Sequence, residues 1–178
     1  MSFCEFTVQY WAWKNVDADY YGLCHYRRYL SFSDKRYKNT VFNMVRELKL
    51  TPHEKKKYHL DDTKKIEKTV KQYDMIIPVV AKASEMSYNR AEVKTLREMW
   101  ESYNGVYFEQ GIIDKMFSLI KEYSPEYYNS ACEYFSGKYH RAFNCYIMKK
   151  ELFVRMCEFQ FPIMKRITEI TDCKTYER

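Results

Sequence analysis

Aromatic and apolar positions open the chain at helical spacing. Phe3, Phe6, Tyr10 and Trp13 recur every three or four residues, with Cys4, Val8 and Trp11 beside them, which predicts a helix to about Asn15 with most of its surface buried. Ser2-Phe3-Cys4-Glu5 reads as its capping box, with Ser at the N-cap and Glu at N3. Residues 20–25 form a short apolar run and predict a buried strand. Residues 40–49 and 52–72 predict helices, the second opened by a Thr51 cap and by Pro52 at its first position. "DMIIPVV", 74–80, predicts a second apolar strand, and Pro78 assigns it to an end or an edge. Further helices are predicted at about 89–103, stopped by Gly105, at about 110–123, and from Ser124-Pro125-Glu126 to near Gly137. "RAFNCYIM", 141–148, predicts a third strand, and the run from Lys149 a closing helix interrupted or bent near Pro162.

Strands alternating with helices point to an α/β layer architecture with a small sheet. Four Gly and four Pro in 178 residues fit long helices with few turns. No repeat or Gly/Ser linker divides the chain, so one continuous domain over 1–178 is expected. The six cysteines form no CxxC pair and no zinc-type spacing, which fits a reduced, cytoplasmic compartment. No signal peptide is expected at the start, and no apolar run approaches the ~18 residues of a membrane span. Work at the inner face of a membrane stays compatible with this.

Charge changes the picture. Residues 25–72 hold 14 Lys/Arg against 6 Asp/Glu, while the rest holds 16 against 18. A positive half suits an anionic ligand, and it equally suits solvated helix faces. The densest chemistry is in "YYGLCHYRRYL", residues 20–30, where the apolar run ends in His25, Tyr26, Arg27, Arg28 and Tyr29. In open α/β sheets ligands gather at the carboxyl ends of strands. Arginine forks match phosphate oxygens, and aromatic faces stack on a base or sugar. On the residues alone this is either a ligand site or the solvated end of a strand. Asp17-Ala18-Asp19 is a DxD pair of the kind that holds a divalent metal, but it falls at the amino end of the strand and reads as a turn.

"FCEFTVQYWAWKN", followed by "DYYGLCHYRRYLSF", then "YDMIIPVVAK" and "YHRAFNCYIMKKELFVRMCEFQFPIM", resembles the bacterial family called domain of unknown function 4422. That family is regarded as glycosyltransferase-like. The resemblance implies a partial GT-A-like (Rossmann-like) α/β fold, helix-rich with a small sheet. It implies a hexosyltransferase that moves a hexose from a nucleotide sugar, UDP-hexose foremost, to a growing capsular or lipopolysaccharide glycan. By the same resemblance, His25, Tyr26, Arg27 and Arg28 contact the donor diphosphate. A Mn²⁺ or Mg²⁺ ion ligated partly by His25 would share that task, and His140 and Asn144, on the third strand, approach from the acceptor side. On the residues alone, His140 and Asn144 are equally buried polar groups with satisfied partners. By the same resemblance, a chain that opens at the aromatic helix is expected to lack the family's N-terminal nucleotide-binding portion and its last helical segment. A partner chain, or self-association through the aromatic helix, is expected to complete it. The alternative is a non-catalytic or degenerate module that binds an anionic partner, either nucleic acid or a membrane surface; acids inside the basic stretch and the lack of any nucleic-acid motif count against nucleic acid.

Overall fold

The computed structural model describes residues 4–35, 37, 45–141 and 144–171. In chain order the first elements are α1 (Glu5–Asn15), β1 (Tyr20–Leu23), β2 (Arg28–Tyr29), β3 (Val45–Arg46), α2 (Pro52–Lys57), α3 (Thr63–Val70) and β4 (Met75–Ile76). They are followed by β5 (Ala81–Lys82), α4 (Ala83–Met86), α5 (Leu96–Glu101), α6 (Ile112–Tyr123), α7 (Tyr128–Ser136), β6 (Tyr139–His140), β7 (Tyr146–Lys149) and α8 (Lys150–Ile170). They cluster into two compact units, residues 1–80 with 141–155 and residues 81–140 with 156–178.

The first unit is built on a three-stranded sheet of order β1-β7-β4. The central strand, β7, is antiparallel to both neighbours: Tyr21 and Met75 both face Met148, and Leu23 faces Tyr146. β1 and β4 therefore point the same way, and their carboxyl ends flank the start of β7. β4 is an edge strand and ends at Ile76, before Pro78, which could not donate to a ladder. Tyr21 stacks face to face on Phe153 at 4.1 Å, tying β1 to the first turn of α8. Val45, Tyr58, Val70, Cys145, Tyr146 and Met148 complete the buried apolar set.

Four expectations change in this unit. The N-terminal helix has the predicted end, but Gln9 is its buried residue, while Val8 and Trp11 are 59% and 60% exposed. Its apolar residues lie all round the axis, and a helix packed on one side buries only one stripe. Ser2 and Phe3 lie outside the described residues, so the capping box is not seen; Cys4 stands at the N-cap and Glu5 is the first helical residue. The predicted helix 40–49 is wrong at Val45–Arg46, which pairs with Arg28–Tyr29 as a strand. That pairing buries Val45, and tertiary burial overrides local propensity; residues 40–44 lie outside the described part. The predicted helix 52–72 is two helices. Tyr58 is fully buried with its hydroxyl on Glu47, His59 takes a left-handed φ of 51°, and Asp62 caps α3 through Lys65 N at 3.0 Å.

The second unit packs α4–α7 with the rest of α8, and β5 pairs antiparallel with β6. Two apolar clusters hold it: Ala83, Leu96 and Met99, and Leu119, Ile120 and Ile163. The predicted helix 89–103 contracts to a 3₁₀ turn at Tyr88–Arg90 and α5, capped by Thr95. The third predicted strand shifts to Tyr146–Lys149, so neither His140 nor Asn144 lies on it; His140 ends the separate strand β6. α8 runs through Pro162 unbroken. Proline deletes the bond to the carbonyl four residues back, and both Pro162 and Glu158 are exposed, so water can take that carbonyl. No helix among the described residues is long and apolar enough to cross a membrane.

Candidate functional site

β1 ends at Leu23 and the chain turns back at once. Arg28 N donates to the His25 carbonyl at 3.1 Å, and the two residues form an isolated antiparallel bridge. This sets Tyr26 and Arg27 at the tip of a tight turn. Tyr26 is 69% exposed; the Arg27 guanidinium lies 4.4 Å from its ring centre. Arg27 is in no ion pair among the described residues. The turn is anchored from behind: the Tyr29 hydroxyl donates to the Tyr26 carbonyl at 2.6 Å, and Glu47 N to the Arg27 carbonyl at 3.1 Å. Cys145, 1% exposed, directs its thiol to the Arg28 carbonyl at 3.9 Å. Burial, aided by neighbouring Cys24, pushes that thiol up to about 12.

The His25 ring meets Tyr26 at 4.1 Å with a 37° tilt and accepts a long 3.4 Å bond from Arg27 N at its Nδ1. A neutral ring that accepts at Nδ1 carries its proton on Nε2. Burial and then the Arg28 charge hold the imidazole pKa below its ordinary value, against the opposing pull of Glu5. His25 is therefore a neutral donor at physiological pH.

Asn144, just before β7, donates from Nδ2 to Glu5 Oε1 at 2.9 Å. Glu5's own backbone N–H, then Asn144, then the nearby His25 and Arg28 charges hold its carboxyl below the usual range. Four of the sequence-predicted residues thus share one turn, and Asn144 joins them through Glu5. Glu5 is the participant the sequence did not single out; its partner is 139 positions away, and no local pattern reports such a contact.

The remaining candidates take structural places. His140 belongs to the second unit, where its Nδ1 pairs with the Tyr134 hydroxyl at 2.9 Å and its ring meets Trp100 edge-on at 5.7 Å. Burial holds its pKa low. Asp17 pairs with Lys150 Nζ and the Asp19 carbonyl accepts from Lys150 N at 2.9 Å, so the DxD pair is a turn at the opposite end of β1. Among the described residues no group of three or more His, Cys, Asp or Glu could hold a metal ion. A hard divalent cation takes six or more oxygen-type ligands; Glu5 and His25, beside a positive Arg28, do not make such a site by themselves.

A family model described as a domain of unknown function, DUF4422, matches residues 1–178. No curated protein matches. The solved structure of WbbM, described as a bifunctional glycosyltransferase in its apo form, superposes with a TM-score of 0.83 at 24% identity. The match covers 98% of this chain and 30% of that one. At this identity the likeness shows a shared α/β fold.

Proposed function

This chain belongs to the domain of unknown function 4422 family, and from that premise we propose that it is a glycosyltransferase domain transferring a hexose from a nucleotide sugar to a growing surface polysaccharide. The observation that carries the reading is the turn at the carboxyl end of β1, where Arg27, outside any ion pair among the described residues, is displayed beside Tyr26, His25 and Arg28. In transfer, the bond from the sugar's anomeric carbon to the diphosphate oxygen breaks, a bond to the acceptor oxygen forms, and the acceptor hydroxyl's proton ends on the released diphosphate or in solvent. The departing diphosphate gains negative charge. Preorganised cations and donors aimed at that charge lower the barrier most where they need not move. Arg27 and Arg28 supply forked donors, and neutral His25 supplies Nε2–H without competing for a proton. Tyr26 offers its exposed face to the base or the sugar. Asn144, oriented by Glu5, stands as the acceptor-side candidate.

A calorimetric titration of the full chain with UDP, with and without Mn²⁺ or Mg²⁺, tests the donor site. Saturable binding is expected, weakened more than about tenfold by Arg27→Ala/Arg28→Ala, since each charge-assisted bond contributes ~1.5–3 kcal/mol. Absence of UDP binding by the folded protein removes the reading. The working place is the cytoplasmic face of the membrane, where donor sugar and growing glycan meet.

A second reading has its own observation. Val8, Tyr10 and Trp11 leave an apolar face on α1, which suits self-association or a partner chain. Sedimentation at increasing concentration tests it: a larger species is expected, and Trp11→Glu should abolish it.

A further inference from the structure

In the second unit, α5, α6 and α7 enclose a cleft of about 530 Å³, within the range of small-molecule sites. Its floor is aromatic. Phe117 meets Phe135 edge-on at 5.1 Å and Tyr128 edge-on at 6.2 Å. Its rim is polar. Arg97 donates from Nε to Glu101 at 2.7 Å and from Nη2 to Asp114, which brings guanidinium and carboxylate together at the opening. On α6, the helix that also carries Asp114, Lys121 Nζ stands 5.5 Å from the Tyr128 ring centre and is in no ion pair among the described residues. The Ser118 hydroxyl donates to the Asp114 carbonyl at 3.0 Å and Ser136 to the Glu133 carbonyl at 2.7 Å. Their protons are committed, so both oxygens stand ready as acceptors.

We infer that this cleft is a saccharide subsite, which holds a short stretch of the acceptor glycan during transfer. A pyranose has two kinds of surface. Its C–H face is apolar and slightly positive, and settles on the negative face of an aromatic ring. Its hydroxyls are paired donors and acceptors that a planar carboxylate and a guanidinium meet two at a time. The cleft offers both kinds of partner within one opening. A nucleotide phosphate fits it less well. Arg97 is already offset by two carboxylates, which leaves Lys121 as its one cation outside an ion pair among the described residues; a carboxylate on an acidic sugar is what a single ammonium can match. That the bound saccharide is the acceptor rests on the transferase reading; that the cleft binds saccharide does not.

The test is saturation-transfer NMR of the full chain with lactose, cellobiose, mannobiose and a hyaluronan disaccharide. At least one is expected to bind saturably at millimolar affinity. That binding should weaken tenfold or more in Asp114→Asn/Lys121→Ala, two rim changes whose folding circular dichroism verifies, and hold in Arg27→Ala/Arg28→Ala. UDP binding should behave in reverse, lost in the arginine variant and kept in the rim variant. No saturable binding of any probe at ~10 mM, above the weakest useful affinity, overturns the subsite, as does binding that the rim variant leaves intact. Saccharide binding without UDP binding overturns the transferase reading alone, and UDP binding without saccharide binding overturns the subsite alone.

Discussion

Burial and charge set the behaviour of single residues here more than residue type does. His140, enclosed by Trp100 and Tyr134, has a pKa below its ordinary value because burial disfavours the imidazolium. The unfolded chain then binds a proton that the folded chain refuses, from about pH 6.5 down to the folded pKa. Stability is full above that window and falls as pH drops through it, by at most ~1.4 kcal/mol per pH unit for one proton. Urea midpoints measured between pH 7.5 and 5.5 should fall in the natural chain and fall less in His140→Gln; parallel slopes would refute this. Glu5 has the opposite kind of shift, a depressed carboxyl. Its contribution is present above the unfolded carboxylate pKa and is lost only as pH falls below it, outside that range. Cys145 gives a chemical readout. With its thiol buried and pushed up to about 12, it should alkylate with iodoacetamide at pH 8 far more slowly than exposed Cys4. Peptide mass spectrometry over time decides, and equal rates would mean that the Cys145 pocket opens readily.

At the scale of elements, α1 and α8 make a useful contrast, since both are rich in aromatics. Phe153 on α8 is 2% exposed and stacked on Tyr21, so Phe153→Ala removes a ring from a filled site and should cost about 3–5 kcal/mol. Trp11 on α1 is 60% exposed, and Trp11→Glu should shift the same denaturation curve by less than ~0.5 kcal/mol in the monomer. A large loss from Trp11→Glu at low protein concentration would mean that α1 packs more deeply than its exposure indicates. The turn after β1 is itself an element-scale device. Its tip is free for a ligand because its base is tied by Arg28 to His25, by Tyr29 to Tyr26 and by Glu47 to Arg27.

For the whole molecule, the basic surplus of residues 25–72 stands after folding. Lys65 pairs with Asp34 at 2.7 Å and Lys57 with Glu47 at 3.7 Å, but both acids belong to the stretch itself and are already counted among its 6 Asp/Glu against 14 Lys/Arg. A protein that held a single strand by many phosphate contacts would lose affinity steeply with salt. The expected result is weak oligonucleotide binding that vanishes by physiological salt, measured by fluorescence anisotropy, while UDP still binds. Tight, salt-resistant oligonucleotide binding would favour the anionic-partner alternative.

Local periodicity and punctuation sufficed for much of this molecule. The end of α1, the apolar strand at Tyr20–Leu23, the strand that ends before Pro78 and the helices around Ile112–Tyr123 and Tyr128–Ser136 were all legible, because each is specified by residues within a few positions of one another. The His25–Arg28 cluster was legible as chemistry for the same reason. What only the tertiary structure decided involves distant partners. Val45 became a strand because Tyr29 was there to pair with, and the 52–72 helix broke because burying Tyr58 was worth more than continuing it. Asn144 left the strand and met Glu5, His140 found Tyr134 and Trp100, and three helices brought the aromatic cleft together. Pairing and burial between residues far apart in the chain are settled by the free energy of the packed whole, and no window of sequence contains that sum.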